Sequence, residues 1–167
     1  MESKPSSFAR HFDLIKNRSN GLMKHLDSDS ALLQEYDPII KDQLNKGIVE
    51  PVGDSDQQEV GHIHHYLPHQ LVIRKDKKTT EVQVVYDASA RSVEQSLNNC
   101  LNSGPPLLQE VFDVLLRFRV PCVALTSDIE KAFLIISILP EDFNVLQFLW
   151  WDDPTSDVQK LISLQFT

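Results

Sequence analysis

The chain has 167 residues, of which 41% are hydrophobic and 24% charged, and its formal net charge is −8. This suits one domain or a piece of a larger protein, and it excludes wholesale disorder. The acidic total argues against a free-standing nucleic-acid binder, because neutralised phosphates and released counterions drive that kind of binding.

Residues 1–8 are small and polar and are expected to fray. They lack the basic-then-apolar pattern of a secretory signal. In residues 8–26 the pair Asn20-Gly21 interrupts the apolar residues, which limits the segment to two short helices. Residues 1–27 are therefore expected to form a partly flexible N-terminal extension. Asp27-Ser-Asp-Ser30 then offers N-capping oxygens. Leu32, Leu33, Tyr36, Ile39, Ile40 and Leu44 follow at helical spacing. Gly47 supplies a left-handed stop, with Ile48 placed to fold back, and Pro51 prevents a restart. A helix over 31–46 is expected.

Residues 52–61 read as an exposed loop. Two strands are expected at 66–74 and 81–86, forming an antiparallel hairpin with a charged turn at 75–80. Between His62 and Arg91 the cations Arg74, Lys75, Lys77, Lys78 and Arg91 face Asp76, Glu81 and Asp87, a local +2. Any polyanion contact is expected there first. Residues 87–104 read as an ordered loop with a helical turn.

Pro105-Pro106 is expected to open the next helix, with Leu108, Val111, Phe112, Leu115 and Phe118 on its buried face and Pro121 at its end. Residues 123–126 read as a short apolar strand, and Asp128 sits where it stops. Pro140-Glu-Asp142 starts a turn or short helix. Residues 145–151 and 158–166 read as a hairpin around Asp152–Ser156. Helices and hairpins are segregated, so the fold class is α+β. No apolar run approaches the ~20 residues that cross a bilayer. The expectation is an intracellular, cytoplasmic chain with no membrane partner. Cys100 and Cys122 are too few for a disulfide framework or a four-cysteine zinc site, and are expected as reduced, partly buried thiols.

Asp128 is the central site candidate. A carboxylate straight after a buried strand either holds a divalent metal or caps the turn. His62, His64, His65 and His69 suggest zinc, but no cysteine accompanies them and strand alternation would split His64 from His65. An exposed, titratable patch is expected instead. A histidine–metal hydrolase would rest on that cluster alone. Trp151-Asp-Asp153 is expected to be a turn, not a catalytic aspartate pair. Glu130 and Lys131 read as a surface ion pair.

Several segments occur in an order that resembles a known family. They are Tyr66-Leu-Pro-His69, Val84-Val-Tyr-Asp-Ala-Ser89, Ser96-Leu-Asn-Asn99, Gly104-Pro105, Asp113-Val-Leu-Leu-Arg-Phe118, Leu125-Thr-Ser-Asp-Ile-Glu-Lys-Ala-Phe133, Pro140-Glu-Asp142 and Phe148-Leu-Trp150. Gly47-Ile-Val-Glu50 precedes them. Together they look like the reverse transcriptase (RNA-directed DNA polymerase) of BEL/Pao-type LTR retrotransposons, over roughly residues 30–166.

The resemblance implies a partial right-hand polymerase fold with an incomplete palm sheet. Residues 28–122 would be fingers and connection, and 123–167 the start of the palm. It makes Asp128 the first catalytic carboxylate, a Mg2+ ligand joined by the Ile129 backbone carbonyl. Phe133 matches an aromatic steric gate against the ribose 2′-hydroxyl, a role compatible with a core aromatic. Arg74 and Lys75 resemble residues that meet the incoming triphosphate, although a solvated hairpin tip is an equal reading. Gln83 stands where the family has arginine, keeping a donor but losing the charge.

The implied partners are an RNA or DNA template-primer, dNTPs and the remainder of a polyprotein with RNase H and integrase. The family's Tyr-x-Asp-Asp motif does not occur in the 167 residues. The chain alone is therefore expected to be inactive, and marginally stable with an unpaired palm edge. The alternative is a non-enzymatic relic or a co-opted nucleic-acid- or protein-binding module.

Overall fold

The computed structural model describes residues 7–53, 64–74, 82–91, 96–102, 104–106, 109–129, 131–156 and 160–167. The chain divides into two compact units. The first comprises Met1–Cys100 and Ser137–Thr167, and the second Leu101–Ile136. The architecture is α+β, with mixed helices and antiparallel sheets.

In the first unit, helix α1 spans Ser7–Ser28 without a break. This corrects the expectation of two short helices. Ile15, Ser19, Met23 and Leu26 recur at helical spacing and are buried. A mid-helix glycine costs about 1 kcal/mol. Burying each large apolar side chain of that stripe is worth about 1.5–3 kcal/mol, so packing overrides Gly21.

Helix α2 runs from Ser30 to Asn45. The Asp29 carboxylate accepts from the Ala31 and Leu32 backbone N–H groups at 3.2 and 3.4 Å. At the other end Gly47 has φ +65°. The Ile48 N–H donates to the Gln43 carbonyl and the Gly47 N–H to that of Leu44, the paired bonds of a Schellman stop. Both ends match the sequence reading. Pro38 sits inside α2 on its exposed side, and Gln34, whose carbonyl loses its helical partner there, is an exposed residue. Asp29→Ala is expected to lower stability by about 1 kcal/mol, measured by urea denaturation. An unchanged midpoint would show that the cap is idle.

Strand β1 (Val49–Pro51) follows. Strands β2 (His69–Ile73) and β3 (Val82–Tyr86) form the expected antiparallel hairpin, with His69 opposite Tyr86 and Ile73 opposite Val82. Its turn, and the histidine at 62, lie outside the described residues. So does most of the predicted loop at 52–61. Helix α3 (Leu97–Cys100) is the expected single helical turn.

Strands β4 (Gln147–Trp151) and β5 (Leu161–Phe166) pair antiparallel, and the sheet order is β1-β5-β4. All of β4 is buried. Alternation sends Leu149 to one side, where it packs with Ile15 and Tyr66. Phe148 and Trp150 point to the other side, where Tyr36, His69 and Tyr86 meet them. β4 is thus the centre of the core. Before it, Pro140–Val145 forms a 3-10 helix, as the proline-led turn suggested.

In the second unit, helix α4 covers Val111–Phe118. It starts well after Pro105-Pro106, and it buries no side chain. Val111 and Phe112 are 72% and 70% exposed, against the expected buried face. Leu108 lies outside the described residues. Residues 123–126 form no strand, and Val123 and Leu125 are exposed. A short apolar run becomes a strand only with a ladder partner, and no described segment pairs with this one. The expected strand leading into Asp128 is therefore not formed. Cys100 and Cys122 are exposed, not partly buried.

Candidate functional site

The nucleotide-side candidates ride on the first hairpin. Arg74 directly follows β2 and is exposed. Gln83 pairs with Val72, so both polar side chains sit at the turn end of the hairpin. Lys75 lies outside the described residues. Asp128, Ile129 and Phe133 belong to the second unit. Of Phe133 only the backbone is described, in a 3-10 helix at Ala132–Ile135.

Asp128 is exposed, and its carboxylate accepts the Ile129 backbone N–H at 2.9 Å. That is the local capping role. Among the described residues no group of three His, Cys, Asp or Glu side chains comes together. Magnesium needs near-octahedral oxygen coordination, and two-metal transfer needs several carboxylates. One carboxylate and one backbone carbonyl do not fit that requirement.

Lys131 adopts φ 53°, the left-handed region, and among the described residues it is the one non-glycine to do so. A side chain there costs roughly 1 kcal/mol or more. The bend turns the chain between Asp128 and Phe133. Sequence reasoning missed it, since lysine gives no signal for that conformation. Glu130, its expected ion-pair partner, lies outside the described residues.

The histidine reading needs the largest correction. His69 is 6% exposed, not part of a solvated patch. Its Nε2–H donates to the Leu149 carbonyl at 2.9 Å. Its Nδ1 must then accept from the Tyr36 hydroxyl, 2.5 Å away. Rings of Tyr36, Tyr86, Phe148 and Trp150 surround it, with centroids 5.4–5.9 Å off. Burial pulls its pKa down to about 4, against a smaller opposing pull from the Leu149 carbonyl. Burial likewise raises the pKa of the Tyr36 and Tyr86 hydroxyls. The ring is thus held neutral, in one tautomer.

Further polar links anchor the same core. Trp150 Nε1–H donates to Asp37 at 3.2 Å, and Lys41 pairs with the other Asp37 oxygen at 2.6 Å. Tyr86 donates to Gln43 at 2.8 Å. Gln147, Gln165 and Glu50 stand in register across β4, β5 and β1, joined at 3.3 and 2.9 Å. Asp153 accepts from the Thr155 N–H and hydroxyl, and the hydroxyl bond first of all lowers its pKa. Trp151 ends β4, and Asp152-Asp153 leads into the turn at Pro154 and Thr155, so the segment is the start of the hairpin's connection, as expected.

A cleft of about 580 Å³ lies between α1 and the start of β2. Arg18, Leu22 and His25 of α1 line it, with Pro68, His69, Gln70, Leu71 and Asp87 across from them. Arg18 reaches Asp87 at 3.9 Å. The second unit has an apolar groove between α4 and residues 121–125. No described helix is long and apolar enough to cross a membrane. Comparison with known proteins finds no matching family model, no similar curated protein and no similar solved structure.

Proposed function

We propose that the chain is the fingers and first palm segment of a reverse transcriptase like those of BEL/Pao-type LTR retrotransposons. The carrying observation is the ordered run of segments from Tyr66 to Trp150, with Leu125-Thr-Ser-Asp-Ile-Glu-Lys-Ala-Phe133 at its centre. The β2–β3 hairpin supports the reading by presenting Arg74 and Gln83 together at its turn end. In this reading Asp128 is the first catalytic carboxylate. Arg74, Lys75 and Gln83 meet the triphosphate, and Phe133 excludes a ribose 2′-hydroxyl.

Residues 1–167 are expected to extend no primer, since Asp128 stands without carboxylate partners among the described residues. The test is to sequence transcripts past Thr167 and express the longer frame. The reading expects a Tyr-x-Asp-Asp motif and template-dependent dNTP incorporation. Asp128→Asn should reduce that incorporation on the order of 1000-fold. Failure to find the motif, or undiminished synthesis by the variant, would sink it. A second reading, a non-catalytic binding module, is favoured by the net charge of −8 and by Asp128 bonding to its own chain. Extension by the longer frame would remove that alternative.

A further inference from the structure

We propose that the outer face of α1 docks the phosphodiester backbone of a nucleic acid, centred on Gly21 and flanked by Arg18, Lys24 and His25. This surface lies outside residues 30–166, which carry the polymerase resemblance, so it goes beyond that reading.

The first observation is charge. Helix α1 holds Arg10, Lys16, Arg18 and Lys24 against Asp13 and Asp27. The whole chain holds 16 Lys and Arg against 24 Asp and Glu. The helix is thus net positive in an acidic protein. At ~100° per residue, Asn17, Arg18, Gly21, Lys24 and His25 fall in one stripe about 120° wide. All five are exposed. Asp13 borders the stripe a turn earlier, and Asp27 falls toward the buried side. Asp87 touches Arg18 at 3.9 Å with both side chains partly exposed. Such a pair is weak, and a phosphate takes the same guanidinium bidentately.

The second observation is Gly21. Its φ is not left-handed, and a Cβ built there would meet nothing within 4 Å. Neither backbone nor packing requires glycine, yet it weakens the helix. Bare backbone at the middle of a cationic stripe admits close approach of a ligand chain. Arg18 and His25 also line the cleft of about 580 Å³, with Asp87 beside Arg18 on its wall, so the stripe opens into a space where a phosphate competes with that carboxylate for the guanidinium.

An anionic membrane would use the same cations, but it also needs apolar side chains to insert. On α1 Ile15, Met23 and Leu26 are buried in the core, and Phe12, Leu14 and Leu22 are partly buried, so no described apolar side chain of the helix stands exposed. The exposed side chains of the stripe are polar, with the partly buried Leu14 between them, which favours nucleic acid.

The test is fluorescence anisotropy of the full chain with labelled 20-mer RNA and DNA duplexes. The expected Kd is on the order of 10 µM at 50 mM KCl. Two or three neutralised phosphates should weaken it about 10–40-fold at 200 mM. Lys24→Glu with Arg18→Glu should cost at least about tenfold, by the same loss of phosphate contacts, with circular dichroism unchanged. Gly21→Ala should raise Tm by about 2–6 °C and yet weaken binding. Equal binding by the charge-reversed double variant, or by Gly21→Ala, would overturn the proposal. So would binding to phosphatidylserine vesicles with none to either duplex. Such a failure leaves the Asp128 primer-extension result untouched, so the two readings fail separately.

Discussion

Trp150→Ala is expected to remove about 3–5 kcal/mol of stability, the range for deleting a large buried aromatic. Trp150 is 2% exposed, in the fully buried strand whose side chains meet Ile15 of α1, Tyr36 of α2 and His69 and Tyr86 of the first hairpin. Its ring contacts those of Tyr36, His69 and Trp151 at 5.2–5.6 Å. The change leaves a cavity and also strips Asp37 of its indole donor, leaving that buried carboxylate on Lys41 alone. A loss of this size takes a large share of the roughly 5–15 kcal/mol that holds a domain folded. The corresponding fall in Tm is on the order of 10–20 °C. Phe112→Ala is the internal control. Phe112 is also aromatic, but it is 70% exposed, so its removal should change stability by less than about 0.5 kcal/mol. Equal effects of the two substitutions would overturn the placement of the core on β4.

Local signals translated well where they were self-contained. Asp29 and Gly47 mark the ends of α2 because a cap and a left-handed stop need only their own neighbours. Both hairpins were legible from alternation and turn residues. The failures were non-local. Residues 111–118 have a helical apolar stripe, and the helix forms, but burial needs a second surface that the short second unit lacks. Residues 123–126 have strand composition but no ladder partner. At Gly21 a local helix penalty lost to the tertiary burial of Ile15, Met23 and Leu26.

The candidate site was legible only as a list of residues. Asp128, Arg74 and Gln83 were picked by sequence pattern, and the structure groups Arg74 with Gln83 on one hairpin. Composition could not show that no other carboxylates converge with Asp128 among the described residues. His69 carried a signal that went unused. It alternates with Leu67 and Leu71, so it occupies an inward position of its strand. The adjacent His64 and His65 drew attention to a surface patch and away from that alternation.

The enclosure of His69 makes a second large effect predictable, a loss of stability on mild acidification. Its folded pKa is lowered from 6.5 to about 4 by burial. Above 6.5 the ring is neutral in folded and unfolded chains, and the stabilisation is fully present. As pH falls from 6.5 toward 4, the unfolded chain takes up a proton that the folded chain refuses. Stability then declines by up to about 1.4 kcal/mol per pH unit. The groups stacked on His69 do not titrate in this window, since the Tyr36 and Tyr86 hydroxyls are raised from 10.0. A cation among four aromatic rings gains roughly 0.5–2 kcal/mol. Burying an ion costs several kcal/mol, so desolvation wins and the neutral form stays favoured. The urea-derived stability is expected to fall by about 2 kcal/mol between pH 6.5 and 5.0. His69→Gln keeps a donor for the Leu149 carbonyl while removing the titration. That variant should be less stable at pH 7 but nearly flat over the same interval. Parallel pH slopes for the two proteins would show that His69 is not the group that carries the effect.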